Sequence, residues 1–337
     1  MNVKTKLAAL LSLVAFVVFM GAAPLLAMVY EKYEEKFEKT VSLARDGKVS
    51  LGNISGDIEV MTWNKNEVKI LAVKTSKTDS EEQAQKNFEK VVIEILEEGN
   101  TLRINTKYEK NYFNKKNRSV SVSYWLTIPD RADADMKSVS GDVMLEDIGG
   151  DAKADTVSGD VVLRNVVGTL KGKTISGDVE VANAQKGAIC STVSGEVDIR
   201  DVVGNMEIES VSGDVKAQNC QGNVVAKTVS GGAEIIDISG ADSIKVGVTS
   251  GNVQYRGNIS ESGTYLFKSH SGDITLTIPG NSAFDLEAKT FSGKISTDFD
   301  ITISGKLSKK SISGTANGGG ADLEAKTFSG NVYLKKR

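Results

Sequence analysis

Histidine is almost missing from this 337-residue chain, which has one, His270, and cysteine is scarcely commoner, with two. A zinc centre of the usual His and Cys composition is therefore excluded, and so is a disulfide-stapled scaffold. Proline is rare, at three residues, and aromatic side chains make up only 6% of the chain. An excess of one charge sign is also lacking: 41 Lys and Arg stand against 44 Asp and Glu, for a net charge of −3. Nothing here gives the basic footprint of a nucleic-acid binder. One apolar run, Leu7–Ala23, is long enough to matter, and no later segment resembles a membrane span.

What the chain does have is glycine, 33 residues of it, and much of it is periodic. Ser-Gly pairs place glycines at Gly141, Gly159, Gly177, Gly195, Gly213 and Gly231, each step being eighteen residues. The steps then lengthen to twenty or twenty-one at Gly251, Gly272 and Gly293, and Gly314 and Gly330 follow. The string DLEAKTFSG occurs verbatim at 285–293 and again at 322–330. A fixed period of this size marks a stacked repeat.

Within a unit, a second glycine falls nine residues after the first, as at Gly150, Gly168, Gly204, Gly222 and Gly240. Counted from the Ser-Gly glycine, apolar residues occupy offsets 2, 4 and 7, then 11, 13 and 16. Short alternation followed by a slip is the pattern of a strand ending in a corner, and the β-branched bias agrees. The expectation is an all-β fold: a parallel β-solenoid, or β-helix, of about 18-residue coils. Cys190 at offset 13 and Cys220 at offset 7 both fall at inward positions. They lie two coils apart, about 9–10 Å by stacking alone, beyond disulfide reach, so both are expected as free core thiols.

The domain reading places a signal peptide (or an uncleaved N-terminal anchor) at 1–27, a linker at 28–40, a β-rich N-terminal cap domain at 41–130 and solenoid repeats at 131–337. Lys4 and Lys6 before the apolar run, with Leu25-Leu26-Ala27 after it, carry the first assignment. No cysteine lies near that run, which excludes lipoprotein processing. Tyr30–Lys39 reads as a charged linker or short helix, Ser80–Lys90 as a short helix opened by a Ser80/Gln83 capping box, and Val91–Leu96, Thr101–Lys107 and Ser119–Ile128 as strands. The cap is expected to cover one exposed end of the stack, and the charges of Lys335-Lys336-Arg337 to guard the other.

Three polar files run along the repeat. Offset 6 is Asp147, Asn165, Asn183, Asp201, Asn219 and Asp237, residues that tolerate a left-handed backbone. Offset 15 is Thr156, Thr174, Thr192, Ser210 and Thr228, expected to form turns opposite them. Offset 1 is Asp142, Asp160, Asp178, Glu196 and Asp214. Such an acidic file invites a calcium reading, but the glycine pattern of the calcium β-roll is absent, and capping of corner backbone N–H groups accounts for it. Outward positions such as Glu146, Arg164, Ala182, Arg200 and Gln218 converge on no acid–base pair. His270 reads as a corner residue, and Phe291 and Phe328, standing at offset 16, as core. No catalytic, cofactor-binding or metal residue is assigned, and no cofactor is expected.

The stretch GNISGDIEVMTW, Gly52–Trp63, and the run of VSGDV coils resemble the putative-adhesin family of secreted bacterial β-strand-repeat proteins, a domain of unknown function. The likeness covers Val41 to the C terminus, and it carries over no catalytic motif. It implies a β-helical protein of the cell envelope. Together these readings give a non-enzymatic exported protein, secreted, at the cell surface or in the envelope, with an adhesin-like or scaffolding role along the rod's flat faces. Its partner is an extracellular or envelope protein or glycan, with no nucleic acid and no membrane beyond the N-terminal segment. A polysaccharide-acting β-helix enzyme and an accessory of an envelope-stress signalling system are the alternatives.

Overall fold

The computed structural model describes residues 31–109, 120–303 and 308–337. The signal-peptide or anchor reading of 1–27 lies outside them. Each coil contributes one short strand to each of two facing sheets, which hold 14 and 15 strands among the described residues. In one sheet Val143, Val161, Val179, Val197, Val215 and Ala233 stand in line, parallel and in register. In the other, Ala152, Leu170, Ala188, Met206, Val224 and Ile244 do the same. These residues, with offsets 4, 7 and 13, are buried and join one core running from Val41 to Leu334. Burying a valine contributes about 1.5–3 kcal/mol, and a single coil has no second layer to bury it against. Stacking supplies that layer, so the fold is the expected β-solenoid.

The corners are built as the sequence implies at two files. Asp147, Asn165, Asn183, Asp201, Asn219 and Asp237 all have φ between 54° and 62°. At the Ser-Gly corner, Gly177 has φ 143°, and a β-carbon there would press into the carbonyl oxygen of Gly159 one coil below. Only glycine meets both demands.

The first block does more than cap. Lys48–Gly52 and Ile58–Trp63 already form a rung, pairing in parallel with Asp133–Lys137 and Val143–Glu146. The sheets then continue outward through Val120–Pro129 and Glu67–Thr78 on one side, and through Thr101–Tyr108 and Val91–Glu98 on the other. The helix is Glu81–Phe88, and Ser80 caps it by accepting the Gln83 N–H at 3.4 Å. At the junction the Tyr124 hydroxyl meets Thr106 at 2.7 Å, and Thr106 donates to Asn53 at 2.9 Å.

Two expectations about the ends of the stack fail. The linker assigned to 28–40 is, from Glu31, a strand: Glu31–Ser42 pairs antiparallel along all of Glu67–Thr78. Tyr33 and Phe37 pack against the core, an apolar alternation hidden among charges that suit an edge strand. The C-terminal charges, in turn, do not guard the end of the stack. The last coil, Ala321–Ser329 with Val332–Lys336, lies between Thr264–Ser271/Ile274–Ile278 and Phe284–Ser292/Ile295–Thr297. The outer end is covered instead by Ser311–Ala316 and Thr302–Ile303, both antiparallel. Because DLEAKTFSG is written twice, the final coil fits a slot before its turn in the chain.

Candidate functional site

A polar side chain inside the rod creates the exposed feature outside it. Strand alternation continues through offset 15 without the expected slip, so the threonines point inward. Thr156, Thr174, Thr192, Ser210 and Thr228 are buried, and each donates its hydroxyl to the carbonyl of the Ser-Gly glycine fifteen residues earlier, at 2.9–3.2 Å. A hydroxyl so paired is cheap to bury. The residue after it must then face solvent.

Offset 16 is therefore outside, which overturns its assignment to the core. Val139, Val157, Ile175, Val193, Val211 and Val229 are 42–50% exposed, one above another. Their register is held by the adjoining serines, which bridge from Ser55 and Ser140 up to Ser212 and on through Ser230, Ser250, Ser271, Ser329 and Ser292. With half-buried Ile54 below, and Thr249, His270, Phe328 and Phe291 above, the file spans eleven rungs, ten steps of about 4.8 Å, or roughly 48 Å.

The file ends in an aromatic stack. Phe328 lies parallel to Phe291, with ring centres 4.7 Å apart, and His270 lies parallel to Phe328 at 5.1 Å. Lys310 sits over Phe291 at 5.7 Å and donates to the Phe291 carbonyl. Phe291, at 65% exposed, and Phe328 are thus surface residues, and His270, read as a corner residue, lies near the end of the strand Thr264–Ser271.

Beyond the serines and glycines runs the acidic file. Its carboxylates cap the next coil: the N–H groups of Asp142, Asp160, Asp178 and Glu196 donate to Asp57, Asp142, Asp160 and Asp178 at 2.7–3.0 Å, and that of Gly232 donates to Asp214. The capping role read from the sequence is the observed one. Asp57, Asp142, Asp160, Asp178 and Asp214 have no ion pair among the described residues, whereas Glu196 meets Lys216 at 2.8 Å. The edge therefore carries, side by side, an apolar file, a hydroxyl file and an acidic file at one spacing.

The flat faces are different. Many outward residues there are charged and pair with one another, as in Arg164–Glu180, Arg200–Asp198, Lys227–Glu209 and Lys153–Asp155, with Met61, Trp125 and Ile189 exposed at separate positions among them. Sequence reasoning missed one cluster: a groove of about 310 Å³ brings Lys48, Lys153 and Lys171 beside Asp135. Asp135 lies 3.6 Å from Lys48 and 3.9 Å from Lys153, an acid held between two ammonium groups. Cys190 and Cys220 are buried and free, as their offsets imply.

Residues 48–253 and 222–335 match the family model described as Toastrack DUF4097. No curated protein matches the chain. Among solved structures, a candidate adhesin from Bacteroides fragilis is similar at 13% identity and a TM-score of 0.38, over 89% of this chain and 97% of the other. A candidate lipid-binding protein from Parabacteroides distasonis shares 12% identity at a TM-score of 0.36, over the same fractions. A candidate cell-adhesion protein from Clostridium sporogenes shares 10% at a TM-score of 0.22, over 90% of this chain and all of the other.

Proposed function

The chain belongs to the Toastrack DUF4097 family, and on that premise we propose that it is a non-enzymatic, exported protein of the cell surface or envelope that works as an adhesin-like contact rod. The observation that carries this reading is the exposed apolar file on one edge, six consecutive aliphatic rungs from Val139 to Val229. A monomeric soluble protein spreads its exposed apolar residues singly, and contiguous ones mark contact surfaces. The paired charges of the flat faces have little free energy left to offer a partner. Contact is thus assigned to the edge rather than to those faces.

The edge suits an extended partner at the surface or in the envelope. A repeat of about 4.8 Å matches the inter-strand spacing of another β-structure laid edge to edge along the rod. Many weak apolar contacts in line add up where one would not.

The test is retention of cells displaying the chain on cell-coated and protein-coated surfaces under flow. A Val157→Lys, Ile175→Lys, Val193→Lys variant is expected to lose retention. A flat-face variant, Glu180→Lys with Asp198→Lys, is expected to keep it. Equal retention of both variants would remove the edge from the reading. Turnover of an acidic polysaccharide by the purified chain, lost on Asp135→Asn, would overturn its non-enzymatic part.

A further inference from the structure

The last coil of the chain is not the last coil of the stack, and we infer that it is a transferable rung, able to fill the same slot in a second copy of this chain. Three observations carry this.

The first is the slot itself. Every file on the edge follows stacking order rather than chain order through this region. The Asp273 N–H donates to Asn252, the Asn331 N–H to Asp273, and the Lys294 N–H to Asn331, at 2.7–3.0 Å. The inward hydroxyls agree, with Thr327 donating to the Gly272 carbonyl and Thr290 to the Gly330 carbonyl. The aromatic stack agrees too, since Phe328 lies between His270 and Phe291. The slot thus has two complete walls, each built before the C-terminal coil in the chain.

The second is the duplicated string. Asp285 through Thr290 pair with Asp322 through Thr327, like against like. Asp285–Ser292 can therefore offer Thr264–Ser271 the same side chains that Asp322–Ser329 does. The chain has two closed forms of similar contact. In one the C-terminal coil is inserted, as observed. In the other the coil Phe284–Thr297 closes directly on Thr264–Ile278, and residues 321–337 are left unpaired. That second form follows chain order, so it is the one reached first as the chain is laid down. Opening it admits a rung, and nothing in the slot distinguishes the chain's own rung from a copy's.

The third is the hinge. Ser311–Ala316 is joined to Ala321–Ser329 by Asn317-Gly318-Gly319-Gly320, three glycines in a row. Asn317, Gly318 and Gly319 have φ of 49°, 91° and 82°. The link crosses the end of the strand it straddles, held by Asn317 donating to the Gly280 and Ser282 carbonyls. A short link that can reopen is what exchange of an identical element between copies requires. Donor coil and slot lie at the same end of the rod, so reciprocal exchange closes as a pair joined at the C-terminal ends.

The test uses the full chain with single cysteines in the exposed ring file, the native thiols being buried. Adjacent rungs stand about 4.8 Å apart, within the range a disulfide spans, and alternate rungs about 9.6 Å apart, beyond it. Chains carrying only His270→Cys are mixed with chains carrying only Phe328→Cys, warmed together at high concentration, cooled and mildly oxidised. A covalent dimer is expected in the mixture and in neither solution alone. The double variant His270→Cys/Phe328→Cys is expected to close within one chain. If it closes but the mixture yields no dimer, the rung is fixed and the inference fails. If His270→Cys/Phe291→Cys closes within one chain and His270→Cys/Phe328→Cys does not, the coils keep chain order throughout and there is no slot to fill. Dimers formed equally by one variant alone would mark collision rather than exchange, and would also overturn it.

Discussion

Replacing Thr174 by Val removes one hydroxyl from the interior and changes little else in shape. Thr174 is fully buried, and its Oγ1 donates to the Gly159 carbonyl at 2.9 Å. That carbonyl lies under the α-carbon of Gly177, closely enough that a β-carbon would collide with it. The bond is part-buried, so the loss falls at the lower end of the cost of a bare buried acceptor. A buried acceptor left without a partner costs about 1–3 kcal/mol, a visible fraction of a total stability of ~5–15 kcal/mol. Its neighbour makes the contrast. Ile175 is 43% exposed, and Ile175→Thr keeps a β-branched strand former while removing only surface carbon, so it is expected to cost within about 0.5 kcal/mol. Guanidinium midpoints give the comparison. Amide exchange of Ser176 and Gly177 should accompany it, because a stacked repeat can open locally without unfolding throughout. If Ile175→Thr costs as much as Thr174→Val, the hydroxyls do not face inward and the apolar file is not a surface.

Two further outcomes follow from the corners and the core. If the acidic file caps backbone N–H groups, calcium at about 1 mM should leave the melting temperature of wild type and of Asp160→Asn/Asp178→Asn within a degree or two of each other; a cation site with a dissociation constant of about 10 μM would add ~2.7 kcal/mol to wild type alone. Burial pushes the Cys190 thiol up from 9.0 to about 12 and the Tyr124 hydroxyl up from 10.0 to about 12. Both groups stay protonated in the fold where the unfolded chain would lose its protons, so their contribution is complete below pH 9 and lost as pH rises toward 12. Denaturant midpoints should fall across that window, Cys190→Ala should flatten the fall, and Cys190 should resist alkylation at pH 8; a slope unchanged by Cys190→Ala would show the thiol is not the group titrating.

The sequence by itself determined the repeat, the two-strand coil and the inward apolar residues at offsets 2 and 4, because strand parity is a local property and its pattern recurs every eighteen residues. It determined the left-handed corners at Asn165 and its file, and the capping role of Asp160 and its neighbours, since each depends on the chemistry of one residue type at one turn. What only the tertiary structure decided is where parity ends. Thr174 can lie inside because a carbonyl fifteen residues away in the chain is 2.9 Å away in space, and that placement alone turns Ile175 outward. Alternation and a one-residue slip look the same in a string of letters when the distant acceptor is unseen. The edge strand Glu31–Ser42 was hidden likewise, its two aromatics diluted among charges until Glu67–Thr78 was there to pair with them. The order of the last coils was undecidable in principle from local pattern. Two identical strings fit either slot, and it is the walls of Thr264–Ser271 and Phe284–Ser292, assembled in space, that determine which one receives the end of the chain.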